Sequence, residues 1–141
     1  MSKVGGVIIS HGQVGVELLS AAEALVGELS FITAVSVGWH DDVELARGEI
    51  ELAIQRVDSA RGVLLLTDMF GGTPTNIAAM FLRVNEVEVV TGVNLPMVVK
   101  LGTANEKISL HDLAKEIESQ GKESILRAGT LLEPRRMTKD A

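Results

Sequence analysis

Cysteine and tyrosine are absent from this chain, tryptophan occurs once and phenylalanine three times. Without cysteine there is no disulfide framework, thiol nucleophile or thiolate metal site. Aromatic residues at 3% offer too little ring surface for a base-stacking platform. Basic side chains are in deficit, 13 against 19 acidic ones, and the resulting net charge of −6 argues against a general nucleic-acid surface. The longest apolar runs are strand-length, and the start lacks a basic stretch followed by a signal-type core, so a cytoplasmic location is expected. No internal repeat, low-complexity tract or linker is visible. What is present is ordinary for one soluble globular domain: 141 residues, 46% apolar and 23% charged, enough to bury a core. The domain is read as residues 1–132, followed by a surface tail over 133–141 that carries Pro134-Arg-Arg136.

The chain is organised around Val63-Leu-Leu-Leu-Thr-Asp-Met-Phe-Gly-Gly-Thr-Pro-Thr-Asn76. Its apolar opening reads as a strand buried on both faces. Asp68 follows at the expected strand end, Gly71-Gly72 let the backbone turn, and Thr73-Pro74 reads as an N-cap followed by proline at the first helical position. A helix start of this kind favours an anion such as phosphate, through its N–H groups and the positive end of its dipole. Taken alone, the stretch fits an ordinary tight turn equally well. The N-terminal stretch decides between them. Lys3 to Ser10 is a second apolar strand, and it ends in His11-Gly12.

In chain order, a helix is predicted over Val14–Val26, with Leu18, Leu19, Ala22, Leu25 and Val26 inward and Gly27 as its stop. A strand over Phe31–Val37 precedes a helix from Asp41-Asp42 to about Val57, with Ala46, Ile50, Ala53, Ile54 and Val57 inward. Asp41-Asp42 beside His40 admits a metal reading, but adjacent side chains diverge and no second ligand cluster accompanies them, so no metal is expected. Next come a strand over Val63–Thr67, a helix from Pro74 to about Leu82, a strand over Val87–Thr91 and a short helix opened by Pro96. Ser109 begins the last helix, with Asp112 at the capping-box position, Leu110, Leu113, Ala114 and Ile117 inward and Gly121 as its end. Ser124–Gly129 reads as a short antiparallel edge strand. His40 is read as a loop residue and His111 as a first-turn helix residue. The fold class is therefore α/β: a doubly wound, mostly parallel sheet in the order 2-1-3-4, helices on both faces, and one C-terminal edge strand. The core is expected to include Val7, Ile9, Leu18, Ala22, Val35, Ile50, Ile54, Leu64, Leu66, Ile77, Val89 and Ile117.

In that order the first and third strands are neighbours at the topological switch point, where ligands bind beyond the strand C-termini. His11 and Asp68, far apart in sequence, then face one crevice. If Asp68 accepts a hydrogen bond from the His11 Nδ1–H, the tautomer is fixed and the Nε2 lone pair is presented to an electrophile. A phosphoryl group on Nε2 makes the ring cationic, and the carboxylate stabilises that charge. The N–H groups of Gly71, Gly72 and Thr73, with the Thr73 hydroxyl, are placed to hold the phosphoryl oxygens. No Walker A lysine or kinase glycine loop accompanies them, so a nucleotide donor is not expected, nor is a cofactor.

Val7-Ile-Ile-Ser-His-Gly12, Leu66-Thr-Asp-Met-Phe-Gly-Gly-Thr-Pro-Thr-Asn76 and Gly92-Val-Asn-Leu-Pro-Met97 together resemble the mannose-family enzyme IIA of the bacterial sugar phosphotransferase system, over about residues 3–130. The resemblance implies a phosphotransferase in which His11 accepts phosphate from the phosphocarrier HPr on Nε2 and passes it to a IIB component for sugar uptake. It implies that Asp68 bonds the other ring nitrogen, that Gly72 and Thr73 contact the phosphate, and that the membrane is reached only through a IIC/IID permease. It further implies a homodimer that exchanges its C-terminal strand, a role that Ser124–Gly129 fits. Members serving a named sugar often run on through a linker into IIB, whereas this chain stops soon after Pro134. Three expectations stay open: a stand-alone IIA, a piece of a longer IIAB protein, or a regulatory phospho-switch of the same family that lacks its own permease and acts by protein–protein interaction.

Overall fold

Strands that are apolar at successive positions, with no polar alternation, must be covered on both faces. That is how this chain folds in a computed structural model describing residues 2–38 and 42–131. Strands β1 (Gly5–His11), β2 (Ile32–Val37), β3 (Val63–Thr67) and β4 (Val87–Thr91) form one parallel sheet in the order β2-β1-β3-β4. The helices are α1 (Val14–Val26), α2 (Val43–Val57), α3 (Gly72–Ala79), α4 (Leu95–Gly102), α5 (Leu110–Glu123) and α6 (Ala128–Leu131). None of the described helices is long and apolar enough to cross a membrane.

Alternate residues of the central strands feed two cores. Ile8, Leu64 and Leu66 pack with Ala22 of α1, Met97, Val98 and Leu101 of α4, and Leu113 and Ile117 of α5. Val7, Ile9, Val63 and Leu65 pack with Ala46, Ile50 and Ala53 of α2 and Ile77 and Ala78 of α3. Burying a side chain of this size contributes about 1.5–3 kcal/mol. Ile8, Ile9, Leu64, Leu65 and Leu66 are fully buried, so β1 and β3 anchor the sheet. Of the expected core, Leu18, Ile54 and Val89 are only partly buried, packed against these two clusters, and the remainder is buried.

Several local expectations change. Leu25 and Val26 are exposed at the end of α1. The chain reverses at Gly27, and Leu29 returns to fill the space beside Gly102 of α4. Gly121 does not end α5, which continues to Glu123; a Cβ at Gly121 would press on Met97, so glycine there permits close approach of α4 and α5. Helix α3 stops at Ala79, and residues 80–82 close tighter turns onto Ile77, Ala78 and Ala79. Ser124–Gly129 is not a strand in the single chain. Residues 125–127 are irregular and Ala128 opens the short α6, with Ile125 and Leu126 exposed. A segment beyond α5 gains strand hydrogen bonds only by reaching a sheet edge, and here it reaches none of the described strands. Asp42 caps α2 by accepting the Glu44 N–H at 2.8 Å, and His111 lies in the first turn of α5. His40, Asp41 and the tail over 133–141 lie outside the described residues.

Two glycines test this packing in opposite directions. A Cβ on Gly5 would overlap the Val57 carbonyl, whereas one on Gly48, inside α2, would meet open space. Gly5→Ala is expected to destabilise by about 1–3 kcal/mol through overpacking. Gly48→Ala is expected to stabilise by about 0.4–1 kcal/mol through lost unfolded-state freedom. Urea unfolding of each variant checks both signs.

Candidate active site

The site begins with a register. Gly5 N–H of β1 donates to the Gly62 carbonyl, and β1 then pairs with β3 from Gly5 opposite Val63 to Ile9 opposite Thr67. The same offset brings Asp68 level with the N–H of His11, the last residue of β1. There the Asp68 side chain takes over, and its Oδ2 accepts the His11 backbone N–H at 2.8 Å. The same oxygen lies 2.8 Å from His11 Nδ1, while Oδ1 accepts the Met69 N–H at 3.0 Å. An ionised carboxylate only accepts, so the short contact assigns the proton to Nδ1 and the nucleophilic lone pair to Nε2. The ring keeps 24% of its side-chain surface exposed and the carboxylate 13%, so the imidazole is approachable while its partner is sheltered.

Burial by itself raises the Asp68 carboxyl. The His11 backbone N–H, the His11 ring bond and the charge interaction with that ring outweigh it together, and hold Asp68 below its ordinary 3.8.

The opposite wall is the start of α3. Gly71 and Gly72 take φ of 85° and 77°, a region that side-chain-bearing residues avoid, and this tight reversal carries the chain into the helix. The N-cap is Gly71, without a side-chain bond, not Thr73 as predicted; two left-handed glycines complete the turn before Thr73, which already lies in the first helical turn. A Cβ on Gly72 would lie 3.4 Å from both His11 Cε1 and Nε2, so the helix start faces the Nε2 edge of the ring. The first N–H groups of a helix have no partner within it. The structure therefore brings His11, Asp68, Gly71, Gly72 and Thr73 to one end of the sheet. Gly92–Met97 serves the β4–α4 join instead: Asn94 accepts the Met97 N–H at 3.2 Å and donates to the Gly121 carbonyl at 3.2 Å.

Three residues escaped the sequence reading. Ser10, Thr67 and Thr75 are the buried polar side chains among the described residues, and all border this end of β1 and β3. Ser10 Oγ accepts the Gly15 N–H at 2.7 Å and bonds the Gly12 carbonyl at 3.3 Å, fixing the turn after His11. Thr75 bonds Thr67 and the Met69 carbonyl beneath the glycine turn. The available signal was a hydroxyl residue directly before each candidate site residue, Ser10 before His11 and Thr67 before Asp68.

Residues 5–118 match the family model described as the PTS system fructose IIA component, where PTS denotes the phosphotransferase system. The chain belongs to this family. The fructose-specific EIIA component of Bacillus subtilis is 27% identical to this IIA chain over 119 residues, covering 84% of it and 82% of the relative. The mannose-specific EIIAB component of Escherichia coli is 36% identical over 126 residues, but the match spans only 38% of that protein. A mannose/sorbose-specific IIA subunit from Enterococcus faecalis superposes with a TM-score of 0.80 at 25% identity, covering 89% of this chain and 94% of its own. The IIA protein associated with the fucose utilization operon of Streptococcus pneumoniae gives 0.80 at 28% identity, covering 94% and 99%. The mannose-type resemblance and the doubly wound parallel fold both stand.

For this IIA component the lowered Asp68 carboxyl has a consequence for stability. A depressed folded-state value stabilises above the unfolded value, and that stabilisation is lost as pH falls through the folded one. The stability difference between wild type and Asp68→Asn is therefore expected to shrink on acidification from about pH 5 to below about pH 4. Denaturant titrations across that range check it; a difference that grows in acid contradicts the assignment.

Proposed function

We propose that this IIA component is a phosphohistidine carrier, taking phosphate from phospho-HPr on His11 Nε2 and passing it to a IIB component for sugar uptake. The observation that carries the reading is the Asp68 carboxylate, which spans the His11 backbone N–H and ring Nδ1 and turns the Nε2 edge toward Gly72. In the transfer the Nε2 lone pair attacks phosphorus, the donor P–N bond breaks, and its electron pair returns to the donor ring. His11 keeps its Nδ1 proton and becomes cationic, and Asp68 offsets that charge in place. The N–H groups of Gly71, Gly72 and Thr73, with the Thr73 hydroxyl, hold the phosphoryl oxygens at the positive end of α3. Position and charge are most of what such a transfer requires. A carrier of this kind works in the cytoplasm and meets the membrane through its permease alone.

The same reading includes a homodimer. Strand β4 is an edge of the sheet, and all five of its residues are half-buried. A groove of about 510 Å³, lined in part by Phe70, Val89, Val90, Met97 and Ile125, runs beside it. Ser124–Gly129 from a second copy satisfies that edge and covers the exposed Ile125 and Leu126.

Transfer from radiolabelled phospho-HPr tests the chemistry. His11→Ala is expected to take no label. Asp68→Asn is expected to stay folded but react about 10²-fold more slowly or worse, since an amide permits the wrong tautomer and carries no charge. Chelator is expected to change nothing, because backbone N–H groups supply the electrostatic stabilisation. Label on His11→Ala rejects the site, and label lost only with chelator assigns the phosphate to a metal. Light scattering is expected to give twice the 15.0 kDa chain mass; the single mass at all concentrations rejects the dimer.

A further inference from the structure

Two threonines in this region lie two positions apart and do different things. Thr73 is exposed at the start of α3, whereas Thr75 is buried beneath the glycine turn. Thr75 Oγ1 donates to the Met69 carbonyl at 2.6 Å. A hydroxyl has one proton, and the Thr75 proton is committed to that carbonyl. The second bond, 2.9 Å between the Thr67 and Thr75 hydroxyls, must then run from Thr67 O–H to Thr75 Oγ1. The result is a directed chain from the last residue of β3, through α3, to the carbonyl of Met69.

Met69 is held from its other side as well, because its N–H donates to Asp68 Oδ1. The Asp68–Met69 segment is thus pinned at two points. One sets the rotation of the carboxylate, and the other sets the peptide that leads into Gly71-Gly72. Phe70 and Met69 are themselves exposed and contribute little packing to hold the turn. A side chain there depends on hydrogen bonds for its aim.

We propose that Thr75 is a positioning residue, backed by Thr67, whose hydroxyl relay aims the Asp68 carboxylate at His11 Nδ1 and sets the phosphate-facing turn. The kinetic part rests on the phosphocarrier reading above; the tautomer part does not. Removing the relay frees the Met69 carbonyl, loosens the Oδ1 bond and lets Oδ2 leave the ring nitrogen, so that part of the His11 population takes the Nε2–H tautomer. That tautomer has no lone pair at the reacting nitrogen.

Thr75→Val keeps the shape and removes the hydroxyl, whereas Thr75→Ser keeps the hydroxyl. Ring ¹⁵N shifts of His11 in the protein alone report the tautomer, and stopped transfer from phospho-HPr reports the rate. Thr75→Val is expected to raise the Nε2–H fraction. It is also expected to slow transfer about tenfold to a hundredfold at saturating donor, without changing the donor concentration for half-saturation. Thr75→Ser is expected to restore both. Thr67→Val, which leaves the Met69 bond but removes the donor behind it, is expected to shift the tautomer in the same direction by less. Wild-type ring shifts in Thr75→Val overturn the proposal, whatever its melting temperature, because a merely structural role lowers stability and leaves the tautomer unmoved. A change confined to half-saturation also overturns it. If Thr75→Val does not fold, unchanged ring shifts in Thr67→Val overturn it instead. If wild type itself takes no phosphate, the carrier reading fails while the ring shifts still decide the relay.

Discussion

Everything at this site depends on the parallel pairing of β1 with β3. Backbone ladders in a parallel pair advance at a fixed offset, so the bond from Gly5 N–H to the Gly62 carbonyl already determines that Asp68 comes level with His11 at the other end. Any slip of one residue would turn the His11 ring to the other face of the sheet and bring a different residue to its N–H. The register is held by side chains buried on both faces, Val7, Ile8 and Ile9 against Leu64, Leu65 and Leu66, so the cost of slipping is the whole of two cores. Stability of the sheet and alignment of the site are one constraint.

At the strand end a single carboxylate does three jobs. It closes the ladder after β3 has left the sheet, it holds the Nδ1 proton, and it ties the following peptide through Met69 N–H. Each hydrogen bond favours the ionised form, and together they overcome the burial that opposes it. A negative charge thus remains beside the imidazole on which, in the proposed transfer, a positive charge would develop. In that proposed transfer the orientation of the dipoles would cost nothing further, because folding has already set it.

Much of the arrangement was legible in advance because it depends on local chemistry. The buried character of Val63–Thr67 and the ends of β4 follow from composition, and the cap at Ser109 follows from the hydroxyl and the residue three positions on, whose N–H it accepts. His11 and Asp68 stood out because each is a polar residue directly following an apolar strand. The misreadings share a cause. Thr73-Pro74 looks like a cap until the positive φ of Gly71 and Gly72 completes the turn first. Gly121 looks like a helix stop, but its missing side chain serves Met97 on another helix. Ser124–Gly129 has strand-like residues, yet a strand exists only where an edge receives it.

The sequence by itself determined the element order from β1 through α5, the two-faced burial of β1 and β3, and the choice of His11, Asp68 and the glycine turn as candidate site residues, since these rest on propensity, periodicity and strand-end position. Only the tertiary structure decided that Asp68 replaces a backbone acceptor for His11, that Gly72 faces the Nε2 edge, and that Thr75 rather than Thr73 supports the turn. Those are relations between residues distant along the chain or on opposite sides of one helical turn. Hydrogen bonds of this kind are set by ångström-scale distance and direction, which no spacing in sequence specifies until the register and the helix start have fixed the backbone.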